Sequence, residues 1–253
     1  MKSSAIKQLI LILSFILLSF YNIKISFNLF FMAAIPALFV IYRYKLKKID
    51  FEPIIFAPLP AFLLTIGILI FSVEQKEFFI KYINYNIDQL INSIKDQPLD
   101  EISSRIKYII NNREQFTKTA LYLIPSISFI YISFMTLIAK KIYLVKNRMI
   151  EPPFKVPFHL VWFLIIGGFT ILSNQLEIKL ISYNTFIIFT YLYFIQGSNL
   201  LTIFFIKKRL IWLRFILLII LLIHPYVIIA IAFIGLFDTW FNFGEKIEND
   251  PKE

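Results

Sequence analysis

The sequence predicts an all-α fold, a polytopic helical membrane bundle with about seven transmembrane helices, within limits of six to eight. Composition is the first observation, since 58% of the 253 residues are hydrophobic and only 17% are charged. In soluble domains about 45–50% of the residues are apolar and about 25% are charged. The second observation is that the net charge of +10 comes from short loops between apolar runs. That pattern is typical of membrane proteins and argues against nucleic-acid binding.

Seven apolar runs are long enough to cross a bilayer, which takes roughly 20 residues (range about 17–25). We treat 1–253 as a single membrane domain that contacts the lipid bilayer. The predicted spans are 5–21, 25–42, 54–73, 119–139, 157–173, 183–206 and 215–236. The first run carries Lys7 and resembles a signal peptide, but no small-residue cleavage site follows it. We therefore expect a retained helix.

Basic residues predict the orientation, because Lys and Arg concentrate in the cytoplasmic loops of membrane proteins. One side of the predicted bundle has the basic stretches 2–7, 43–48, 140–155 and 207–214. The short loops of the other side have Lys24, Lys179, Lys246 and Lys252. We expect a bacterial cytoplasmic membrane protein with its N-terminus in the cytoplasm and its C-terminus outside. The polar tail 245–253 is expected to be frayed.

The segment 74–118 is the one long loop, and it falls on the outer side. Its apolar residues recur at helical spacing and predict two amphipathic helices separated by Pro98. The first face is formed by Phe79, Ile83, Ile87, Leu90 and Ile94, and the second by Ile102, Ile106, Ile109, Arg113 and Phe116. These helices either lie on the bilayer or form a surface for a partner, and the hydrophobic pattern does not distinguish the two.

Polar residues within the apolar runs indicate a candidate ligand site, because a polar group in the bilayer needs a partner. Gln196 and Asn199 lie three residues apart, on one helical face. The candidate ligand-binding residues are Tyr193, Gln196, Asn199, His224 and Ser126, the last beside Ser133 and Thr136 on one side of their helix. The alternative is that these groups only form hydrogen bonds between helices. Such interhelical hydrogen bonds are common in membrane proteins and stabilise by only about 0.6 kcal/mol on average.

The sequence offers little for catalysis, and we expect no enzyme activity, no catalytic residues, no metal site and no cofactor. There is no Cys and no phosphate-binding loop. Ser198 and His224 are the one candidate pair for an intramembrane protease. Gly197 directly precedes that serine and no second glycine follows, so the usual nucleophile turn is missing. Without GxxxG, we expect close helix packing to use Ala and Ser, as at Ala33 and Ala37.

From residue 123 onward a series of motifs follows in order. They are Leu123-Ile124-Pro125, Phe154-Lys155-Val156-Pro157, Tyr193-Phe194-Ile195-Gln196-Gly197 and Gly235-Leu236-Phe237-Asp238-Thr239-Trp240-Phe241-Asn242-Phe243. This half of the chain resembles the YybS-like family of bacterial multi-pass membrane proteins, whose domain has no established function. The resemblance implies that Pro157, Gly197, Asp238 and Trp240 are motif or interface residues. The family pattern usually has an acid at position 242 and Arg at 244, where this chain has Asn242 and Gly244.

The family's fold is similar, distantly, to the substrate-binding subunits of energy-coupling-factor transporters and to the rod-shape protein MreD. The resemblance therefore implies either a small-solute-binding membrane subunit without its own ATPase, which would need a partner ATPase, or a scaffold that recruits membrane partners. The residues leave Asp238 with two roles: an exposed charge that ends a helix, or the partner of Arg113 or Lys118 in the outer loop.

Overall fold

The computed structural model describes residues 34–47, 52–94, 104–149, 154–224 and 226–249. The predicted spans 5–21 and, up to residue 33, 25–42 lie outside this part of the chain. Every regular element among the described residues is a helix. By their contacts the residues divide into two compact units, one from Met1–Leu64 and Ser128–Ile150, the other from Thr65–Ile127 and Glu151–Glu253.

Eleven helices are numbered here in chain order through the described residues. They are α1 (Ile35–Val40, continued as a π-helix over Ile41–Lys45), α2 (Pro53–Phe56), α3 (Leu59–Phe71), α4 (Val73–Ile94), α5 (Ser104–Asn111), α6 (Arg113–Lys146), α7 (Val161–Thr170, preceded by a 3₁₀ turn, Phe158–Leu160), α8 (Leu176–Lys207), α9 (Leu213–Ile223), α10 (Val227–Phe241) and α11 (Phe243–Asn249).

Three helical stretches of the described chain are long and apolar enough to cross a membrane: Pro53–Phe71, Arg113–Lys146 and Ile181–Lys207. They overlap the predicted spans 54–73, 119–139 and 183–206. Two shorter apolar helices, Phe158–Thr170 and Val227–Phe241, accompany them. Many large apolar side chains on these helices are exposed, as suits surfaces that face lipid. The fold is an all-α, membrane-type helical bundle.

In the first unit, α2 and the residue before it are joined to the second half of α6 by polar contacts at buried positions. The Ser133 hydroxyl donates to the Ile54 carbonyl at 2.8 Å. The Lys140 ammonium lies 2.8 Å from the Glu52 carboxylate, and both side chains are largely buried. Arg43 approaches the second oxygen of that carboxylate at 3.7 Å. A buried charge is costly alone, so Glu52 and Lys140 stabilise each other.

In the second unit, the predicted outer loop consists of helices that directly follow or precede the spanning stretches. Helical hydrogen bonds continue through Ser72, between α3 and α4, and through Asn112, between α5 and α6. The first amphipathic face agrees with the structure, since Ile87 is buried on α4. The second face was wrong at Phe116, which is exposed. Thr117 is buried instead, because its hydroxyl donates to Asn84 of α4 at 3.1 Å.

Helix α7 packs against α8 in the opposite chain direction. Three pairs show the register: Phe163 stacks on Phe189, Gly167 meets Thr185, and Ser182 donates to Thr170 at 2.7 Å. This register places the extended segment before α7 next to the middle of α8, where Gln196 lies.

The predicted span 215–236 was wrong as a single helix. The structure divides it at His224 into α9, with 11 residues, and α10, with 15 residues. Proline has no amide hydrogen, so Pro225 cannot continue the hydrogen-bond ladder of α9. At about 1.5 Å per residue these helices are about 16 and 22 Å long. Each is shorter than the bilayer's hydrocarbon core of about 30 Å.

The C-terminal segment differs from the frayed tail that the sequence predicts. Residues 243–249 form α11 rather than a frayed tail, and two basic residues assigned to the inner side contact this segment. Lys207 donates to the carbonyl of Ile247, and Lys155 lies 3.7 Å from Glu245. Segments in contact cannot lie on opposite sides of a membrane, so these contacts favour one side for α11, Lys155 and Lys207.

This sidedness can be measured with single cysteines, because the chain has no Cys of its own. We expect Lys246→Cys on α11 and Lys208→Cys after α8 to react with an impermeant maleimide from the same side of the membrane. Gln175→Cys, at the other end of α8, should react from the opposite side. Labelling of Lys246→Cys together with Gln175→Cys would contradict the placement.

Candidate functional site

The structure does not bring the predicted ligand-binding residues into one pocket. Tyr193 and Gln196 are buried, and Asn199 is half-buried nearly one turn further along α8. Ser126 contacts Asn184, which precedes Gln196 on α8 by 12 residues. At 1.5 Å per residue that is about 18 Å. The predicted residues therefore lie at separate places on the bundle.

His224 lies exposed at the break between α9 and α10. Within the described residues no hydrogen bond joins it to Gln196, to Asn199 or to Ser198, the partner it would need in a protease. Its backbone carbonyl instead accepts from the amide of Val227 at 3.0 Å, which helps to start α10. In the described part of the chain, no three His, Asp or Glu side chains come together as metal ligands would.

Both polar atoms of the Gln196 side chain bind other parts of the protein. Its side-chain oxygen accepts from the backbone amide of Val156 at 2.8 Å, and its side-chain nitrogen donates to Asp238 at 2.8 Å. The other oxygen of Asp238 accepts from the backbone amide of Gly244 at 2.9 Å. One amide–carboxylate pair thus connects the segment before α7, helix α10 and the start of α11. This satisfies groups that would be costly to bury alone.

Asp238 therefore has neither of the two roles expected for it. It is only 6% exposed rather than an exposed helix end. Arg113, one of its two expected partners, binds Asp88 of α4 at 2.7 Å instead. Lys118, the other, pairs with Glu114 on its own helix at 2.7 Å. Asp238 is a buried acceptor within the family motif.

Two glycines allow this arrangement. A Cβ atom added at Gly197 would overlap the Ile231 carbonyl oxygen, and one added at Gly235 would overlap the Tyr193 carbonyl oxygen. The backbones of α8 and α10 are therefore in direct contact, and Gln196 and Asp238 come together beside this contact. The expectation that close packing would rely on Ala and Ser was wrong at this contact. One glycine on each helix allows the close approach, where a GxxxG motif would place two glycines on one helix.

The remaining motif residues surround the same contact. Pro157 starts the 3₁₀ turn before α7, and the neighbouring Phe158 packs edge-on against Trp240 at 6.4 Å between ring centroids. Lys155 donates to Asn242, which ends α10 with a φ of 50°. Asparagine tolerates this left-handed conformation better than most residues. Asn242 thus takes a structural part at the position where the family usually has an acid.

A cleft in the described part of the second unit lies elsewhere, between the first turns of α6 and of α8. Its volume is about 680 Å³, which falls within the usual range of ligand pockets, about 300–1,000 Å³. It is lined by Asn111, Asn112, Arg113, Glu114, Gln115, Lys118, Thr119, Tyr122, Leu123, Lys179 and Tyr183. All of these residues fall on the predicted outer side or at the outer end of a span.

Asn184 fixes the backbone of α6 next to this cleft, at Tyr122, which lines it. Pro125 interrupts the hydrogen bonds of α6, and the Asn184 side chain reaches the backbone on both sides of the interruption. Its oxygen accepts from the Ser126 amide at 2.9 Å, and its nitrogen donates to the Tyr122 carbonyl at 2.8 Å. Sequence reasoning missed this role. The available signal was a polar residue at the start of one apolar run and a proline within another.

Arg113 holds one wall of the cleft. Its guanidinium donates to the Asn84 side chain at 3.1 Å, to the Asn84 carbonyl at 3.2 Å and to Asp88 at 3.0 Å. An arginine fork with several acceptors fixes geometry better than a single ion pair. Arg113, the one polar residue in the second predicted amphipathic face, is therefore the residue that joins α4 to α6.

Comparison with known proteins identifies one family. A family model described as "Predicted membrane protein (DUF2232)" matches residues 1–239, and this confirms the resemblance to a YybS-like family of membrane proteins. No curated protein and no solved structure matches the chain.

The glycine contact yields a paired test. We expect Gly197→Ala to destabilise the bundle by about 1–3 kcal/mol or more, because its methyl group overlaps a backbone atom that cannot move alone. The matched control is Gly67→Ala on α3, where no atom lies within 4 Å of an added Cβ. That change should be neutral or stabilise by up to about 1 kcal/mol. Thermal unfolding in detergent measures both, and equal stability of the two variants would refute the contact.

Proposed function

The chain belongs to the DUF2232 family of predicted membrane proteins, and we propose that it is a non-enzymatic, multi-pass subunit of the bacterial cytoplasmic membrane that binds a small solute in the cleft between α6 and α8. The cleft carries this proposal. It combines a volume in the range of ligand pockets with polar groups from two helices and with two tyrosines. It replaces the site expected around Gln196.

Orientation follows from the basic residues. Stretches 2–7, 43–48, 140–155 and 207–214 lie in the cytoplasm by the positive-inside rule. The contact of α11 with Lys155 and Lys207 then supports a cytoplasmic C-terminal segment as well. Both ends on one side require an even number of crossings. Six crossings result if α9 and α10, which are divided at His224, form a pair that enters and leaves on the same side.

The cleft opens on the outer side in this orientation, since Lys179 and Lys118 precede the apolar parts of α8 and α6. A solute would reach it from outside the cell. ATP-driven inward transport would need a partner ATPase, because the sequence has no phosphate-binding loop of its own. A partner ATPase would then contact the basic inner loops.

The proposal is tested by filling the cleft. Thr119→Trp places a large side chain on the cleft wall, and we expect it to abolish a small adduct that wild-type protein retains in native mass spectrometry. Ile127→Trp is the matched control, because Ile127 is exposed on the same helix, 59%, and does not line the cleft. An adduct that survives Thr119→Trp, or that both variants lose equally, counts against the cleft.

A scaffold role is the second candidate, and one observation favours it. Phe78, Tyr82 and Tyr85 follow helical spacing on α4, and each is more than half exposed. Exposed aromatic residues at this spacing are typical of protein-binding surfaces. In the outer helices they form a stripe available to a membrane partner.

Serine at all three positions of this stripe should remove a stoichiometric membrane partner from the purified complex and leave the bundle folded. Tyr108→Ser, on the neighbouring helix α5 and 57% exposed, provides the control. Quantitative co-purification from cross-linked membranes measures the loss. Equal recovery of the partner with the triple variant and with wild type would refute the scaffold surface.

A further inference from the structure

We propose that the cleft between α6 and α8 binds the anionic headgroup of an amphiphile, with Lys179 as the counter-charge. This inference rests on the proposed solute-binding function and names the class of ligand. It draws on three features of the cleft: the pairing of its cations, the depth at which its tyrosines lie, and its volume.

The cations of the cleft differ in their partners. Arg113 is bound to Asp88 and Asn84, and Lys118 is paired with Glu114. Among the described residues that line the cleft, Lys179 is the only cation with no ion pair and no side-chain hydrogen bond. It is half-buried rather than extended into solvent. A half-buried charge needs a counter-charge, and the cleft in front of Lys179 has room for one.

The lining is layered along both helices. Tyr122 follows Lys118 by one turn of α6, and Tyr183 follows Lys179 by one turn of α8. Both helices run from these lysines into their apolar parts, so the tyrosines lie deeper than the charges. Leu123 continues the lining in the same direction. The lining therefore changes from charged to aromatic to apolar with depth. An amphiphile changes in the same direction, from its polar headgroup to its apolar chain.

An interfacial belt of Tyr and Lys explains part of this order without any ligand. It does not explain the open volume of about 680 Å³ between the two pairs, since belt residues contact lipid at the rim of a bundle. Here the two Lys–Tyr pairs belong to different helices and line one cleft, and Asn184 of α8 binds the backbone of Tyr122 on α6. The cleft is also much larger than a bare inorganic anion needs.

The test offers one lipid pair to the purified full-length protein. In neutral detergent the protein receives equal amounts of phosphatidylglycerol and phosphatidylcholine with identical chains, and native mass spectrometry counts the retained adducts. We expect retention of the anionic lipid over the zwitterionic one. Lys179→Gln should lower this retention about tenfold, because a charge-assisted hydrogen bond is lost. Lys179→Arg should keep most of it.

The matched control is Lys81→Gln, which removes the same charge from an exposed position on α4 that does not line the cleft. It should retain phosphatidylglycerol as wild type does. Equal loss in Lys81→Gln and Lys179→Gln would overturn the proposal, as would equal retention of the two lipids by wild type. Comparable thermal midpoints of the variants establish that a loss of adduct is not a loss of fold.

Two further experiments complete the test. One distinguishes a lipid headgroup from a soluble anion, and the other distinguishes failure of this inference from failure of the proposed solute binding. Inorganic phosphate at millimolar concentration should not displace phosphatidylglycerol; displacement would identify a soluble anion and overturn the amphiphile. An adduct that Thr119→Trp abolishes but Lys179→Gln does not affect would keep solute binding in the cleft and overturn only the anionic class.

Discussion

The contact of Gly197 with the backbone of α10 is the constraint on which the packing of α8 against α10 and the pairing of Gln196 with Asp238 depend. Only two residues without a Cβ atom, Gly197 and Gly235, allow the two helices to meet backbone to backbone. The side chains next to them, Gln196 and Asp238, then reach each other, the amide of Val156 and the amide of Gly244. In a low-dielectric interior, a polar network is stabilising when every buried group has a hydrogen-bond partner. If one partner is missing, the group left unpaired costs its full desolvation free energy.

The same principle explains why the polar residues of this bundle are poor indicators of a ligand site. Ser126, Asn184 and Gln196 each lie within an apolar run, and each is hydrogen-bonded to backbone groups, chiefly where the helix is interrupted or where an extended segment begins. A polar side chain at membrane depth is therefore first a solution to unsatisfied backbone groups. The residue that suggests a ligand is the one that this network leaves out, and in the cleft that residue is Lys179.

The sequence was sufficient for the fold class and for the approximate position of the long helices, because apolar runs and loop charges are local properties. It also predicted the inward face of α4. It was not sufficient for the pairing of Asp238 with Gln196, since 42 positions separate them and nothing local in either motif indicates the other. The helix break at His224 was visible in Pro225, but the contacts of α11 with Lys155 and Lys207 join residues that lie far apart in the sequence, and no local pattern indicates them.

Arg113 illustrates why charge alone misled the sequence reading of the outer helices. On the amphipathic pattern it was an exception to an apolar face, and its free charge was available for Asp238. In the structure its fork joins Asn84 and Asp88 of α4, and Thr117 adds a further bond to Asn84. The face is thus polar at its centre because it packs against another polar helix rather than against lipid. This pairing holds α4 against α6, and it leaves the opening between α6 and α8 to the lysines and tyrosines of the cleft.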